Sequence, residues 1–99
     1  MVGFAITVTV FPDKRNEFLQ AFVMLKELKE LGDSRLDYAL FEQIKEPNTF
    51  LWLEHWQNIE SLNCYYKNTR FKAMMGAIEI MGQLIQKRTF LIDKEKEDG

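Results

Sequence analysis

The run from Leu36 to Trp56 constrains this chain more than any other stretch. Two apolar-rich segments flank Glu46-Pro47-Asn48-Thr49, and Pro47, with its fixed φ and missing N–H, belongs in a turn and not in a paired strand. Leu36, Tyr38 and Leu40 alternate with Asp37, Ala39 and Phe41. Phe50, Trp52, Glu54 and Trp56 alternate with Leu51, Leu53 and His55. Successive side chains point to opposite faces of a strand, so this pattern predicts a hairpin in which neither face is fully polar. Such a sheet needs cover on both sides.

The remaining segments supply that cover. Phe4 to Phe11 reads as a strand with Phe4, Ile6, Val8 and Val10 on one face and Ala5, Thr7 and Thr9 on the other. Pro12-Asp13 ends it, and Asp13 is the expected N-cap of a helix over 14–31, with Glu17 in its first turn. Phe18, Phe22, Leu25 and Leu28 form the helix stripe, widened by Leu19, Val23 and Met24; Gly32 stands at the C′ position. After the hairpin, Asn58 caps a second helix with Ile59, Leu62, Tyr65 and Tyr66 inward. Asn68-Thr69 breaks and re-caps it, and Phe71, Met74, Met75, Ile78 and Met81 carry it to Gly82. The last strand, 84–92, is charged in its middle, as befits a sheet edge, and 93–99 is a charged tail. The order strand, helix, strand, strand, helix, strand predicts one α+β domain over 1–99: the ferredoxin-like βαββαβ plan, a four-stranded antiparallel sheet with helices on one face.

The open face of that sheet would carry aromatic side chains of one parity or the other, too large a surface to leave in water. RNA-recognition domains use such a face to stack bases, but their basic-glycine-aromatic signature is missing from Thr49 to Trp56, which holds no Gly, Arg or Lys. A formal net charge of −2 likewise argues against nucleic acid or an anionic membrane as partner. The expected occupant is a twofold copy, making a homodimer. One cysteine, Cys64, allows no internal disulfide. No signal-peptide pattern and no apolar run of about 18 residues is present, so a reduced, cytoplasmic protein is expected.

Four short motifs add a family. Leu36-x-Tyr38-x-Leu40-Phe41-Glu42, Pro47-Asn48-x-Phe50, Leu53-Glu54-x-Trp56-x-Asn58-x-Glu60-Ser61-Leu62 and Thr69-x-Phe71 resemble the antibiotic biosynthesis monooxygenase superfamily of dimeric α+β barrels. The resemblance runs from about Val8 to Phe90. It implies a dimeric α+β barrel and a choice of activities: cofactor-free oxidation of quinols or polyketides, heme degradation, or isomerisation. Many members place a histidine nine residues after the strand-end tryptophan, where this chain has Tyr65. The heme-degrading branch has a tryptophan there, an axial histidine ten residues on, and an asparagine on the first strand. This chain has Tyr65, Met75 and no such asparagine, so heme is disfavoured.

The candidate catalytic residues are therefore Trp56, Tyr38, Tyr65, Glu54 and His55. Tyr38, Trp56, Tyr65 and Tyr66 could line a pocket between sheet and helices, where phenols would orient an aromatic substrate. Glu54 shares a face with Trp52 and Trp56 and, if buried, needs a cation, with Lys87 and Arg88 as candidates. A carboxyl in an aromatic pocket could serve as acid or base. His55, the lone histidine, lies on the opposite face and is either a surface strand-end residue or a base. One His and one Cys show no metal-ligand spacing, and Cys64 reads as a structural thiol. The expected function is a monooxygenase that needs no cofactor and oxidises a small quinol or phenolic molecule. The alternative is a non-catalytic dimeric module that binds a small molecule or another protein.

Overall fold

Alternation of large and small residues produces β1 (Val2–Val10): Phe4, Ile6, Val8 and Val10 are buried, while Ala5, Thr7 and Thr9 are half-buried on the other face. A computed structural model of the chain describes residues 1–26 and 34–91. A 3-10 turn (Pro12–Lys14) leads into α1 (Arg15–Lys26), followed by β2 (Arg35–Glu42), β3 (Thr49–Trp56), α2 (Ile59–Tyr66), α3 (Thr69–Met81) and β4 (Gly82–Leu91). The strands form one antiparallel sheet in the order β2-β3-β1-β4. This is the expected ferredoxin-like α+β arrangement, with β2 and β4 at the edges.

The helices cover the face that carries Phe4, Ile6, Phe50, Trp52 and Trp56, and the core lies there. Phe4 sits at its centre. Its ring meets Trp52 edge-on at 5.2 Å, Phe71 at 6.1 Å and Tyr66 at 5.9 Å, and stacks on Tyr65 at 6.3 Å. The opposite face presents Ala5, Thr7, Ala39, Leu51, Leu53, His55 and Phe90 half-buried and Phe41 exposed.

The two asparagine caps expected around α2 and α3 form. The Asn58 side chain accepts from Ser61 N at 2.8 Å, and Asn68 accepts from Arg70 N at 2.8 Å, so the helix is broken and restarted there. Gly82 ends α3 and begins β4 at once. A Cβ on it would lie 2.0 Å from the Thr9 carbonyl oxygen, so only glycine lets β4 start against β1. At the hairpin turn Asn48 adopts φ 66°, a left-handed conformation that asparagine tolerates. Arg15 clamps this turn: its guanidinium donates to Glu42 at 2.5 and 2.6 Å and to Asn48 at 3.0 Å.

Several expectations need correction. Asp13 lies inside the 3-10 turn rather than capping α1, because Pro12 nucleates that turn first. Val23 and Met24 are 52% and 72% exposed, so among the described side chains the buried stripe of α1 is narrower, carried by Phe18 and Phe22 with Leu19 and Ala21 packed beside it; the expected Leu25 and Leu28 side chains lie outside the described set. Ile59 is exposed at the first position of α2. β1 ends at Val10, leaving Phe11 exposed beside Pro12. Leu36 is the unpaired residue where the β2–β3 register slips between Arg35 and Asp37, and its side chain is exposed. The expected helix over 27–31, Gly32 and the tail from Ile92 fall outside the described residues.

Candidate active site

On β3, positions two apart share a face, so Trp52, Glu54 and Trp56 point together toward the helices. Their spacing lets the two indoles close on the carboxylate between them. Trp52 Nε1 donates to Glu54 Oε2 at 2.8 Å, and Trp56 Nε1 donates to Oε1 at 3.0 Å. From above comes α2. The Asn58 cap sets its start, and Tyr65, in its second turn, stacks near Trp56 at 4.7 Å and donates its hydroxyl to Glu54 Oε2 at 3.0 Å. Glu54 is wholly buried.

The fourth neighbour is Arg35, whose Nη1 stands 3.8 Å from Glu54 Oε1 while its guanidinium lies 4.6 Å above the Tyr38 ring. That distance gives charge attraction without a direct hydrogen bond. Burial nevertheless dominates and lifts the Glu54 carboxyl to about 7; the Trp52 bond, the Arg35 charge and the Tyr65 and Trp56 bonds oppose it. Burial, with the Glu54 charge added, holds the Tyr65 phenol well above its ordinary range, and Tyr38 likewise. Both phenols are neutral at any physiological pH. Indole and guanidinium N–H groups only donate, whereas a phenol hydroxyl donates or accepts. When Glu54 takes up a proton, Tyr65 is the partner that can turn from donor to acceptor.

Trp56 and Tyr65 also line an open cavity of about 290 Å³, together with Ser34, Glu60, Ser61, Cys64 and Asn68. Its floor is aromatic and its rim is polar, with Ser61 Oγ donating to Ser34 Oγ at 3.1 Å. Glu54 therefore lies one side chain beneath a surface depression. A larger groove of about 470 Å³ between α1 and α3 is lined by Ala21, Met24, Arg70, Ala73, Met74 and Ala77 and shares none of these residues.

Of the five candidate residues, three converge: Glu54, Trp56 and Tyr65. Tyr38 stands across the strand pair from Glu54 and under Arg35, but its hydroxyl turns away and donates to the Phe22 carbonyl at 2.9 Å. Tyr66 is turned toward Thr89, its hydroxyl 3.0 Å from that of Thr89, and does not line the cavity. His55 lies on the other face, 3.2 Å from Asp37 and edge-on to Phe90, apart from the Glu54 cluster. Neither Lys87 nor Arg88 pairs with Glu54. Lys87 caps the Tyr66 ring at 4.5 Å, and Arg88 stands opposite Ala5, on the sheet's open face. Cys64 is exposed at the cavity, not interior. Among the described residues no three His, Cys, Asp or Glu side chains gather as a metal site, and no helix is long and apolar enough to cross a membrane.

Sequence reading passed over Arg35, Ser34 and the bonding role of Trp52. The i, i+2, i+4 run Trp52-Glu54-Trp56 was a sufficient signal for the last. Nothing local marked the other two.

A single sheet with its helices on one face, wrapped around a buried carboxylate in an aromatic cage, defines an α+β domain of the ferredoxin-like class. Within that class the chain belongs to the antibiotic biosynthesis monooxygenase family, whose model matches residues 1–77. It is 28% identical over 76 residues to the Bacillus subtilis (strain 168) protein named "Putative monooxygenase YcnE", covering 77% of this chain and 80% of that one. Its fold matches that of a "putative antibiotic biosynthesis monooxygenase" from Deinococcus radiodurans (TM-score 0.83, 19% identity, 94% of this chain and 93% of that one). It also matches SnoaB, a cofactor-independent oxygenase from Streptomyces nogalater (TM-score 0.79, 14% identity, 92% and 91%). At these identities the structural matches establish the fold alone.

Proposed function

We propose that the chain is a monooxygenase that oxidises a small quinol or phenolic molecule with dioxygen and no cofactor. The observation behind this reading is the Glu54 carboxyl, buried beside the cavity and poised at about 7, where a general base works best. A substrate hydroxyl docked against Trp56 and Tyr65 gives its proton to the Tyr65 oxygen as Tyr65 passes its own to Glu54. The resulting anion is electron-rich enough to reduce dioxygen directly. For a naphthoquinol, one oxygen atom becomes a ring hydroxyl, the quinol is oxidised to the quinone, and the second oxygen leaves as water. The aromatic floor would orient the ring, and the neutral phenol of Tyr65 would hydrogen-bond the anion. Family membership and the monooxygenase name of the Bacillus subtilis relative support the reaction class. We propose as well that two copies meet through the open sheet face.

A second reading is a non-catalytic binding module of the same fold. It is favoured by the three hydrogen bonds that already occupy the Glu54 carboxylate, as a purely structural carboxylate would have. Oxygen uptake with metal-free protein and a panel of naphthoquinols and anthrones separates the two. The enzyme reading expects turnover that falls about 100-fold or more in both Glu54→Gln and Tyr65→Phe. An inert wild-type protein that still binds panel members, with affinity unchanged in the two variants, makes it a binding module.

A further inference from the structure

Plain alternation along β2 would put Arg35 on the open face, because Tyr38 faces the helices. The register shows otherwise. Arg35 stands opposite Trp56 and Asp37 opposite His55, so two β2 steps match one on β3. This bulge turns Arg35 to the helix side, where its side chain is only 12% exposed. There it spans the Tyr38 ring at 4.6 Å and comes within 3.8 Å of Glu54 Oε1, the oxygen that Trp56 also holds. A bulge beside a buried carboxylate, aiming a cation at it, is more than packing requires.

We propose that Arg35 is the positioning residue of this site: it supplies the counter-charge that first stabilises the Glu54 carboxylate and then the substrate anion that Glu54 creates. The inference rests on Glu54 acting as the base. Before reaction the pair Arg35⁺–Glu54⁻ is neutral. Once the substrate proton reaches Glu54, the carboxyl is neutral and one new negative charge stands in the neighbouring cavity, so the net charge does not change. Arg35 carries this role better than a lysine would, because its flat guanidinium stacks on the Tyr38 ring. Among the described residues, the other ionisable groups about Glu54 are the phenols of Tyr38, Tyr65 and Tyr66, with Lys87 of β4 beyond Tyr66. The phenols stay neutral, and Lys87 is given to the Tyr66 and Phe71 rings. Among the described residues, Arg35 is thus the cation in direct range.

The protein contains its own reporters. Its two tryptophans both donate an indole N–H to Glu54, so their two ¹H–¹⁵N resonances register its ionisation. In wild-type protein both should move with one midpoint near 7. Arg35→Gln should raise that midpoint by about one pH unit or more, and move the acid limb of the oxygen-uptake rate to higher pH with it. Arg35→Lys should recover most of the shift. Arg35→Met, which keeps an apolar stem over Tyr38, replaces the glutamine variant if that one does not fold. A folded Arg35→Gln or Arg35→Met protein with an unmoved midpoint overturns the role of Arg35 and leaves Glu54 as base. Indole resonances that show no midpoint between pH 5 and 9 in wild-type protein overturn both.

Discussion

Glu54 and Glu42 are two carboxylates of one chain pushed in opposite directions, and together they shape its acid–base stability. Burial raises the Glu54 carboxyl to about 7 from an ordinary 4.5. A raised carboxyl favours the folded state below its unfolded value, and that advantage is lost as pH climbs from 4.5 through 7; at 1.36 kcal/mol per pH unit it is about 3 kcal/mol. Glu42, by contrast, is held at about 2 by the Arg15 guanidinium and the Asn48 N–H. Its contribution is present above 4.5 and disappears as pH falls from there toward 2. The two windows do not overlap, so unfolding by urea should show greatest stability near pH 4.5. Glu54→Gln should flatten the neutral limb, and Glu42→Gln should weaken the dependence on the acid side. A wild-type protein whose stability rises steadily from pH 4.5 to 7 would contradict the burial effect at Glu54. Much of this residue-level chemistry could be read beforehand: the spacing of Trp52, Glu54 and Trp56 put a carboxylate between two indoles, and its need for a cation was evident. Which cation answered was hidden, because period-2 counting fails across the bulge at Arg35. Lys87 and Arg88 looked suitable only while the register of β4 was unknown.

At the scale of elements, local signals were strongest where a single residue controls a boundary. Asn58, Asn68 and Gly82 each mark one, and each acts where its chemistry said it would. Signals were weakest where two elements compete for the same residues. Pro12 favoured a 3-10 turn over a cap at Asp13, and the flank of α1 at Val23 and Met24 stayed outside because helices meet the sheet along a narrow line. Gly82 makes the sharpest prediction. A methyl group there would have to displace the Thr9 carbonyl and the Val10 backbone, since its Cβ would sit 2.0 Å and 2.7 Å from them. Gly76, in the middle of α3, has nothing within 4 Å of its would-be Cβ. Gly82→Ala should therefore destabilise by about 1–3 kcal/mol through overpacking. Gly76→Ala should instead stabilise by about 0.4–1 kcal/mol by removing backbone freedom from a helix interior. Paired thermal melts of the two variants check this, and equal effects of the same sign would refute the close approach at Gly82.

For the whole molecule the fold leaves one layer unaccounted for. Helices cover one face of the sheet, while the other carries Leu51, Leu53, Ala5, Ala39 and Phe41 across its middle, with Phe90 lying against Gly3 so closely that a Cβ there would touch the ring at 2.8 Å. Charged and polar groups border these apolar side chains, Asp37 and His55 at one end of the sheet and Arg88 and Gln86 along β4. An apolar centre with a polar frame is how a protein interface is built, and a self-complementary one suits a twofold axis. Leu53 lies near the middle, opposite Ala5 on one side and Ala39 on the other. Leu53→Glu would bury a carboxylate in a twofold contact twice over, yet it touches nothing in the helix-side core. Light scattering at micromolar concentration should give wild-type protein a mass near twice 11.8 kDa, and Leu53→Glu a mass near 11.8 kDa with an unchanged circular dichroism spectrum. The Trp56–Tyr65 cavity opens on the helix side, so the monomeric variant should keep its indole titration near pH 7 even as the dimer is lost. A wild-type monomer at that concentration rules out the open face as a twofold contact. A Leu53→Glu variant that stays dimeric shifts the contact to another surface, and the exposed β4 edge would be the next to probe.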